Sequence, residues 1–237
     1  MMNGSGSKKL WFCLLVAALL VGWLIWVVSS RQPRPLLVHG RSVENWVHEV
    51  RIGGFHLEKD VALEALASAG PNIIPDLSRL LRRPESAKDL AMRLPSNLIS
   101  VSTKNQHASE SEVLVMKAKA AWVLGVIVYR NTNGFETSLC VPPLLSGLKS
   151  GSREVRTYSV QALGAIGRAA SNAVPELIAK TVDEDSGVRM SAVESLGRIG
   201  FNSPASLAAV SNALTDPIPD VSFTATKALR LLQQPKN

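Results

Sequence analysis

"EVRTYSVQALGAIG", residues 154–167, returns 33 residues later as "GVRMSAVESLGRIG", residues 187–200, and a fainter copy, "DVSFTATKALRLLQ", occupies residues 220–233. Aligned on Val155, Val188 and Val221, each copy carries one stripe. It runs Val155, Ser159, Ala162, Leu163, Ile166, then Val188, Ala192, Ser195, Leu196, Ile199, then Val221, Ala225, Ala228, Leu229, Leu232. Steps of four, three, one and three keep all five members on one face of a helix. Small residues in the middle of the stripe admit a neighbouring helix closely, and large ones at its ends fill the remaining space. Gly167 and Gly200 fit the left-handed position that ends a helix. Gly164 and Gly197 lie inside it, where glycine costs about 1 kcal/mol relative to alanine. A contact too close for a Cβ would account for that cost.

A second helix follows each first one. "SNAVPELIAKTVDED", from Ser171, offers Ser171 or Asn172 as a cap, Pro175 in the first turn, and Val174, Leu177 and Ile178 for burial. "SPASLAAVSNALTD", from Ser203, repeats the plan with Pro204, Leu207, Val210 and Leu214. Working backwards, "VPPLLSGLKSG" from Val141 matches a second helix and "AKAAWVLGVIV" from Ala118 a first, with Leu124–Gly125 in the Leu–Gly place. "DVALEALASAGPNIIPDLSRLL", from Asp60, carries both halves of a further unit. About four units result, the last lacking its second helix. Such pairs cannot bury their apolar faces alone and must stack. Between 83 and 111 the period breaks into a polar, Ser- and Asn-containing insertion, with one short helix expected near Glu85 to Arg93.

"EVRTYSVQALGAIGRAASNAVPELIAKTVDEDSGVR", residues 154–189, resembles HEAT-like repeats of the phycobilisome-lyase type; the likeness extends over 60–82 and 115–233. It departs at the C-terminus, where Ser222 stands in the Arg place and Gln233 in the final Gly place. The resemblance implies an all-α fold: an α-solenoid (superhelix) of about four HEAT-like helix pairs. It implies no particular reaction, since such repeats serve many tasks. Its repeat positions here are Val155, Arg156, Leu163, Gly164, Gly167 and Pro175, then Val188, Arg189, Leu196, Gly197 and Gly200. Arg156 and Arg189 fall at helix starts, where a cation opposes the helix dipole and needs an acidic partner. Asp183–Asp185, just upstream of Arg189, predict an inter-repeat ion pair there. On the last helix Ser222, Thr226, Lys227, Arg230, Gln233 and Gln234 make the polar arc of a terminal cap, interrupted by Phe223.

The 237-residue chain is 46% apolar but only 5% aromatic, a composition suited to close-packed helices of small and aliphatic residues. Its charge of +7 falls to +5 once Lys8 and Lys9 are set aside. Residues 10–28, "LWFCLLVAALLVGWLIWVV", are uncharged and long enough to cross a bilayer's hydrocarbon layer, with Trp11 at one end and Trp23 and Trp26 near the other. The run is longer than a cleaved signal's core, and "VVSS" is a poor cleavage site. The expected organisation is a tail over 1–9, a single transmembrane helix over 10–28, a linker over 29–41 and a repeat domain over 42–234. The short N-terminal tail favours the exported (periplasmic) side for the body.

Catalytic readings find little support in the residues. His48–Glu49 invites comparison with the His-Glu pairs of HEAT-like di-iron hydroxylases, but the repeats hold no histidine, so no converging ligand set forms. No nucleophile motif, P-loop or dinucleotide fingerprint occurs, nothing selects a bilin lyase, and no cofactor or metal is expected. Arg79, Arg82, Arg83, Lys88 and Arg93 form the richest basic cluster, yet Glu85 and Asp89 interrupt it and no aromatics interleave. Nucleic acid is therefore an unlikely partner. Tyr158, just off the buried stripe, and Phe223 are the candidate partner-binding aromatics, with Arg79, Arg82 and Arg83 as candidate polar contacts. Trp122 reads as core.

The expected function is a membrane-anchored protein-interaction scaffold with an unknown protein partner. The alternatives are an enzyme of the HEAT-like lyase or hydroxylase type and a basic surface for anionic lipid or nucleic acid. A reporter enzyme that matures only after export, fused to Asn237, should be active in cells; an inactive fusion at normal abundance places the body on the opposite side.

Overall fold

The computed structural model describes residues 36–52, 60–86, 106–130 and 137–234. The chain divides into two compact units at Pro35–Leu36. The predicted span 10–28 lies outside the described residues, among which no helix is long and apolar enough to cross a membrane.

Residues 36–41, expected to end a linker, belong instead to the folded body. Leu37–Val38 (β1) and Arg41–Ser42 (β2) pair antiparallel around a two-residue turn. His39 and Gly40 both take positive φ, 49° and 77°, as a tight hairpin turn matching strand twist requires. The Val38 carbonyl accepts the Trp46 indole N–H at 2.8 Å, and Arg41 lies over the Trp46 ring at 4.8 Å while gripping Glu49 with two nitrogens. Trp46 and Glu49 thus tie the hairpin to the helix that follows it.

Among the described residues ten α-helices follow: α1 (Val43–Glu49), α2 (Val61–Ser68), α3 (Ile74–Leu81), α4 (Gln106–Arg130), α5 (Val141–Gly147), α6 (Arg153–Ile166), α7 (Val174–Lys180), α8 (Ser186–Ile199), α9 (Pro204–Asn212) and α10 (Pro219–Gln233). Four complete pairs, α2–α3 to α8–α9, are closed by α10 alone. The first helices α4, α6, α8 and α10 pack each against the next. Val155, Val188 and Val221 are all fully buried, as one repeated environment demands.

The interior glycines mark where these helices touch. A Cβ on Gly164 would lie 2.9 Å from the Ser195 Cβ and 3.0 Å from its Cα; one on Gly197 would lie 2.9 Å from the Ala228 Cα. Gly125 is the looser member, 3.3 Å from the Ala162 Cβ. Ala162, Ser195 and Ala228 are themselves equivalent residues, so one contact is made three times. At the middle seam Ser195 Oγ donates to the Val160 carbonyl at 2.9 Å, satisfying the one polar group placed there.

Several local expectations are corrected. Gly200 is left-handed (φ 65°, ψ 27°), but Gly167 takes φ 65°, ψ −137°, a region open almost solely to glycine. The chain there turns straight into a 3-10 segment, Gly167–Ala173, whereas Gly200 is followed by a tight turn in which the Ser203 N–H meets the Phe201 carbonyl at 2.9 Å. That segment also removes the need for Ser171 or Asn172 as a cap: α7 starts at Val174 with no side-chain cap, because the Val174 N–H already meets the Ser171 carbonyl. α3 and α5 are entered in the same way, and Pro75, Pro142 and Pro175 each fall in the first turn. α9 keeps the side-chain cap, Ser203. Leu214 is 38% exposed, since Ala213 takes the inward position of its 3-10 turn. Pro84 to Ser86 are not helical, and the rest of the short helix expected near Glu85 to Arg93 lies outside the described residues. The polar insertion ends early, because α4 already begins at Gln106.

Gly197→Ala should cost 1–3 kcal/mol in denaturant unfolding, on the order expected of overpacking, although alanine in a free helix would gain about 1 kcal/mol. Gly151→Ala, whose Cβ would meet only Glu85 Oε2 at 3.6 Å, is the matched control and should leave stability within about 0.5 kcal/mol.

Candidate docking groove

Eight residues before each seam glycine stands a cation: Lys117 before Gly125, Arg156 before Gly164, Arg189 before Gly197. Arg156 is 6% exposed and Lys117 5%, so each needs partners. Arg156 donates to the Ser150 and Gly151 carbonyls at 3.1 Å, to Asp183 Oδ1 at 2.9 Å and to Glu184 Oε1 at 3.1 Å. Arg189 repeats the pattern one unit on, donating to the Asp183 and Glu184 carbonyls and, with two nitrogens, to Asp216 at 2.8 and 3.1 Å. The inter-repeat ion pair therefore exists, but with partners other than those expected. The loop after α7 turns its Asp183 and Glu184 carboxylates back to Arg156 and its carbonyls forward to Arg189, whose own carboxylate comes from the next loop. In the first copy Ser150 occupies the place of Asp183 and Asp216. Glu85 supplies the missing charge, binding Lys117 Nζ at 2.5 Å and the Gly151 N–H at 2.9 Å. Lys117 escaped the sequence reading; the Leu124–Gly125 register, eight residues on, was the signal for it.

Burial pushes the Asp183 carboxyl upward, but Arg156, the Asp185 N–H and Lys180 outweigh it and hold the group below the usual aspartate range. Asp216 is held down by Arg189 against the opposing effect of burial, and Glu85 by Lys117, Ser150 and the Gly151 N–H, which together overcome its desolvation.

These loops form one wall of a groove of about 1000 Å³. Ile52 and the α4 residues Ser111, Leu114, Val115 and Ala118 line one side. The start of α6, with Ser152, Arg153, Glu154, Arg156 and Tyr158, together with Glu184 and Asp185, lines the other. Ser152 caps α6 and hydrogen-bonds Glu154; Arg153 and Ser152 draw the Glu154 carboxyl down to about 2. Val115 is 50% exposed. Tyr158 is half-buried, and its hydroxyl makes no hydrogen bond among the described residues. Desolvation, then the Glu154 charge, raises its pKa above the ordinary phenol value.

Of the candidate contact residues, the groove gathers only Tyr158. Phe223 is 61% exposed on α10, with Lys227 Nζ 4.2 Å above its ring. Arg79 is bound to Asp76 at 2.7 Å and Arg83 to Glu44 by two bonds at 2.6 and 2.7 Å, so these cations are spent on acids of the stack. Arg82 and Arg83 line a separate cleft of about 620 Å³ with Glu85 and Glu176. Lys88 and Arg93 lie outside the described residues. Trp122 is partly buried against the core, whereas Tyr129 is 78% exposed. His48 and Glu49 are exposed beside buried Trp46, Glu49 being engaged by Arg41. Among the described residues no three His, Cys, Asp or Glu side chains are grouped to hold a metal. Cys140 is fully buried, and desolvation raises its thiol to about 12, far from a nucleophile's range.

Residues 141–230, from α5 into α10, match the family model of HEAT repeats. No curated protein matches the chain. Among solved structures, an engineered protein aligns at 20% identity over 82% of this chain and 80% of its own, with a TM-score of 0.43. A designed armadillo repeat protein, in complex with the peptide (KR)4, aligns at 18% identity over 81% and 99%, also with a TM-score of 0.43. Human deoxyhypusine hydroxylase in complex with glycerol aligns at 24% identity over 81% and 73%, with a TM-score of 0.39.

Asp216→Asn should destabilise the body by about 2 kcal/mol, the range for a hydrogen bond to a charged group. Because the folded-state pKa values of Asp183 and Asp216 are depressed, their contribution is complete above pH ~4 and declines as the pH falls below it. Urea midpoints followed downward from pH 6 should therefore converge for the two proteins in acid; a constant gap contradicts the assignment.

Proposed function

We propose that this chain is a membrane-anchored scaffold that docks a partner protein in the groove between α4 and α6, and that it performs no chemistry of its own. Residues 10–28 hold the body at a bilayer, on the exported side, and the stacked pairs supply a rigid support. The observation that carries the reading is Tyr158. A half-buried aromatic with an unspent hydroxyl, lining an open groove together with an exposed valine, has the composition of an interface anchor rather than of a closed core. Glycine seams and a buried ion ladder on either side fix its position. The likeness to phycobilisome-lyase-type repeats supports the module, and the absence of repeated nucleophiles or acid–base pairs in the repeat phrase supports a binding role.

A photo-crosslinking residue at position 158 tests this in cells expressing the full chain. It should yield one discrete adduct, while the same residue at Ala179, exposed on α7, should yield none. Equal labelling from both positions, or none from 158, would contradict the proposal.

A further inference from the structure

The groove has two chemically different halves. Leu114, Val115, Ile52 and the Tyr158 ring make an apolar half, and the α6 start and the 184–185 loop a charged one. Its lining holds three carboxylates (Glu154, Glu184, Asp185) against two guanidiniums (Arg153, Arg156), an excess of one negative charge inside a chain of +7. These groups are not equally free. Asp185 caps α8, accepting the Val188 N–H at 3.1 Å, and Glu154 is tied to Ser152 and Arg153. Glu184 differs: its side chain is 83% exposed and its one ionic partner among the described residues is Arg156. Arg156 keeps Asp183 and two backbone carbonyls if Glu184 leaves it. Glu184 can therefore turn to an incoming cation without stranding a buried charge, a freedom Asp183, with a 5% exposed side chain, lacks. Arg153, 68% exposed and paired at the surface with Glu154 at 2.9 Å and Asp185 at 3.6 Å, can move aside at similarly small cost.

We propose that the groove selects a short peptide segment carrying a bulky apolar side chain next to lysine or arginine. The apolar group seats against Leu114, Val115 and the Tyr158 ring, the cation meets Glu184, and the Tyr158 hydroxyl bonds the segment's backbone. This rests on the docking reading above and adds the chemistry of what docks. The same charge balance disfavours acidic segments, anionic headgroups and nucleic acid, which would meet the carboxylates first.

The test uses the full chain in nanodiscs of neutral lipid, with empty nanodiscs as reference. Three labelled eight-residue Gly/Ser peptides bear Phe-Lys-Lys, Phe-Glu-Glu or Ser-Lys-Lys at the centre. Fluorescence anisotropy should show Phe-Lys-Lys binding at least tenfold tighter than either of the others. Glu184→Lys, at an exposed loop position, should weaken Phe-Lys-Lys about tenfold and strengthen Phe-Glu-Glu. Val115→Asp should abolish Phe-Lys-Lys binding, with circular dichroism confirming an intact fold. If Phe-Glu-Glu binds as well as Phe-Lys-Lys, or Glu184→Lys changes neither, the charge selection is wrong while docking stands, provided that Val115→Asp still abolishes binding. If Ser-Lys-Lys equals Phe-Lys-Lys, charge alone attracts the peptide and the apolar seat is wrong. Binding that none of the variants changes, with no adduct from position 158, overturns the docking reading as well.

Discussion

Backbone against backbone, with no room for a side chain between, is the constraint from which the rest of this molecule follows. Where Gly164 meets Ser195 and Gly197 meets Ala228, successive first helices approach until a single methyl group would collide with main-chain carbon. The approach fixes both the separation and the rotation of each helix relative to the next. Once those are set, Val155, Val188 and Val221 drop into the same buried site, and the loops after α5 and α7 present their carbonyls to Arg156 and Arg189. The cations eight residues before the glycines then meet those loops. The ion ladder is a consequence of the seams, and it locks what the seams position.

Much of this was legible in the primary structure. A 33-residue recurrence, a stripe at helical spacing and glycines inside helices point together to stacking, and each is a local property that tertiary context had little reason to override. What could not be read was the direction in which loops face. The sequence places Asp183–Asp185 beside Arg189, yet the loop points its Asp183 and Glu184 carboxylates to Arg156 and their carbonyls to Arg189. Adjacency along the chain says nothing about which side of a turn carries the side chains. Nor could the 39-residue offset of the first copy be aligned by its charge, because lysine replaces arginine and serine replaces aspartate. Glu85, at the start of the insertion, makes good that loss. The hairpin at 37–42 was hidden for another reason: two-residue strands have no periodicity to detect.

The groove itself was half legible. Tyr158 stood out because its equivalents, Ser191 and Thr224, are small and polar, so a large ring there answers to something other than the repeat. The apolar wall opposite comes from α4, whose first turns sit in a stretch that reads as polar insertion. The docking role proposed above rests on this arrangement. Arg153 and Ser152 hold the Glu154 carboxylate ionised at the groove's rim. Among the described residues the groove's open features include an exposed valine, an unbonded hydroxyl and a carboxylate with freedom to move.

The most direct test of the stack is a distance across two seams. Gln161, Glu194 and Lys227 occupy equivalent surface positions on α6, α8 and α10. Spin labels at 161 and 227 on the full chain, read by pulsed electron resonance, should give one narrow distribution near 20 Å, two interhelical steps of about 8–10 Å plus the reach of the labels. A broad distribution, or a mean beyond about 30 Å, would mean that the helices do not stand in a row at the spacing the glycines impose.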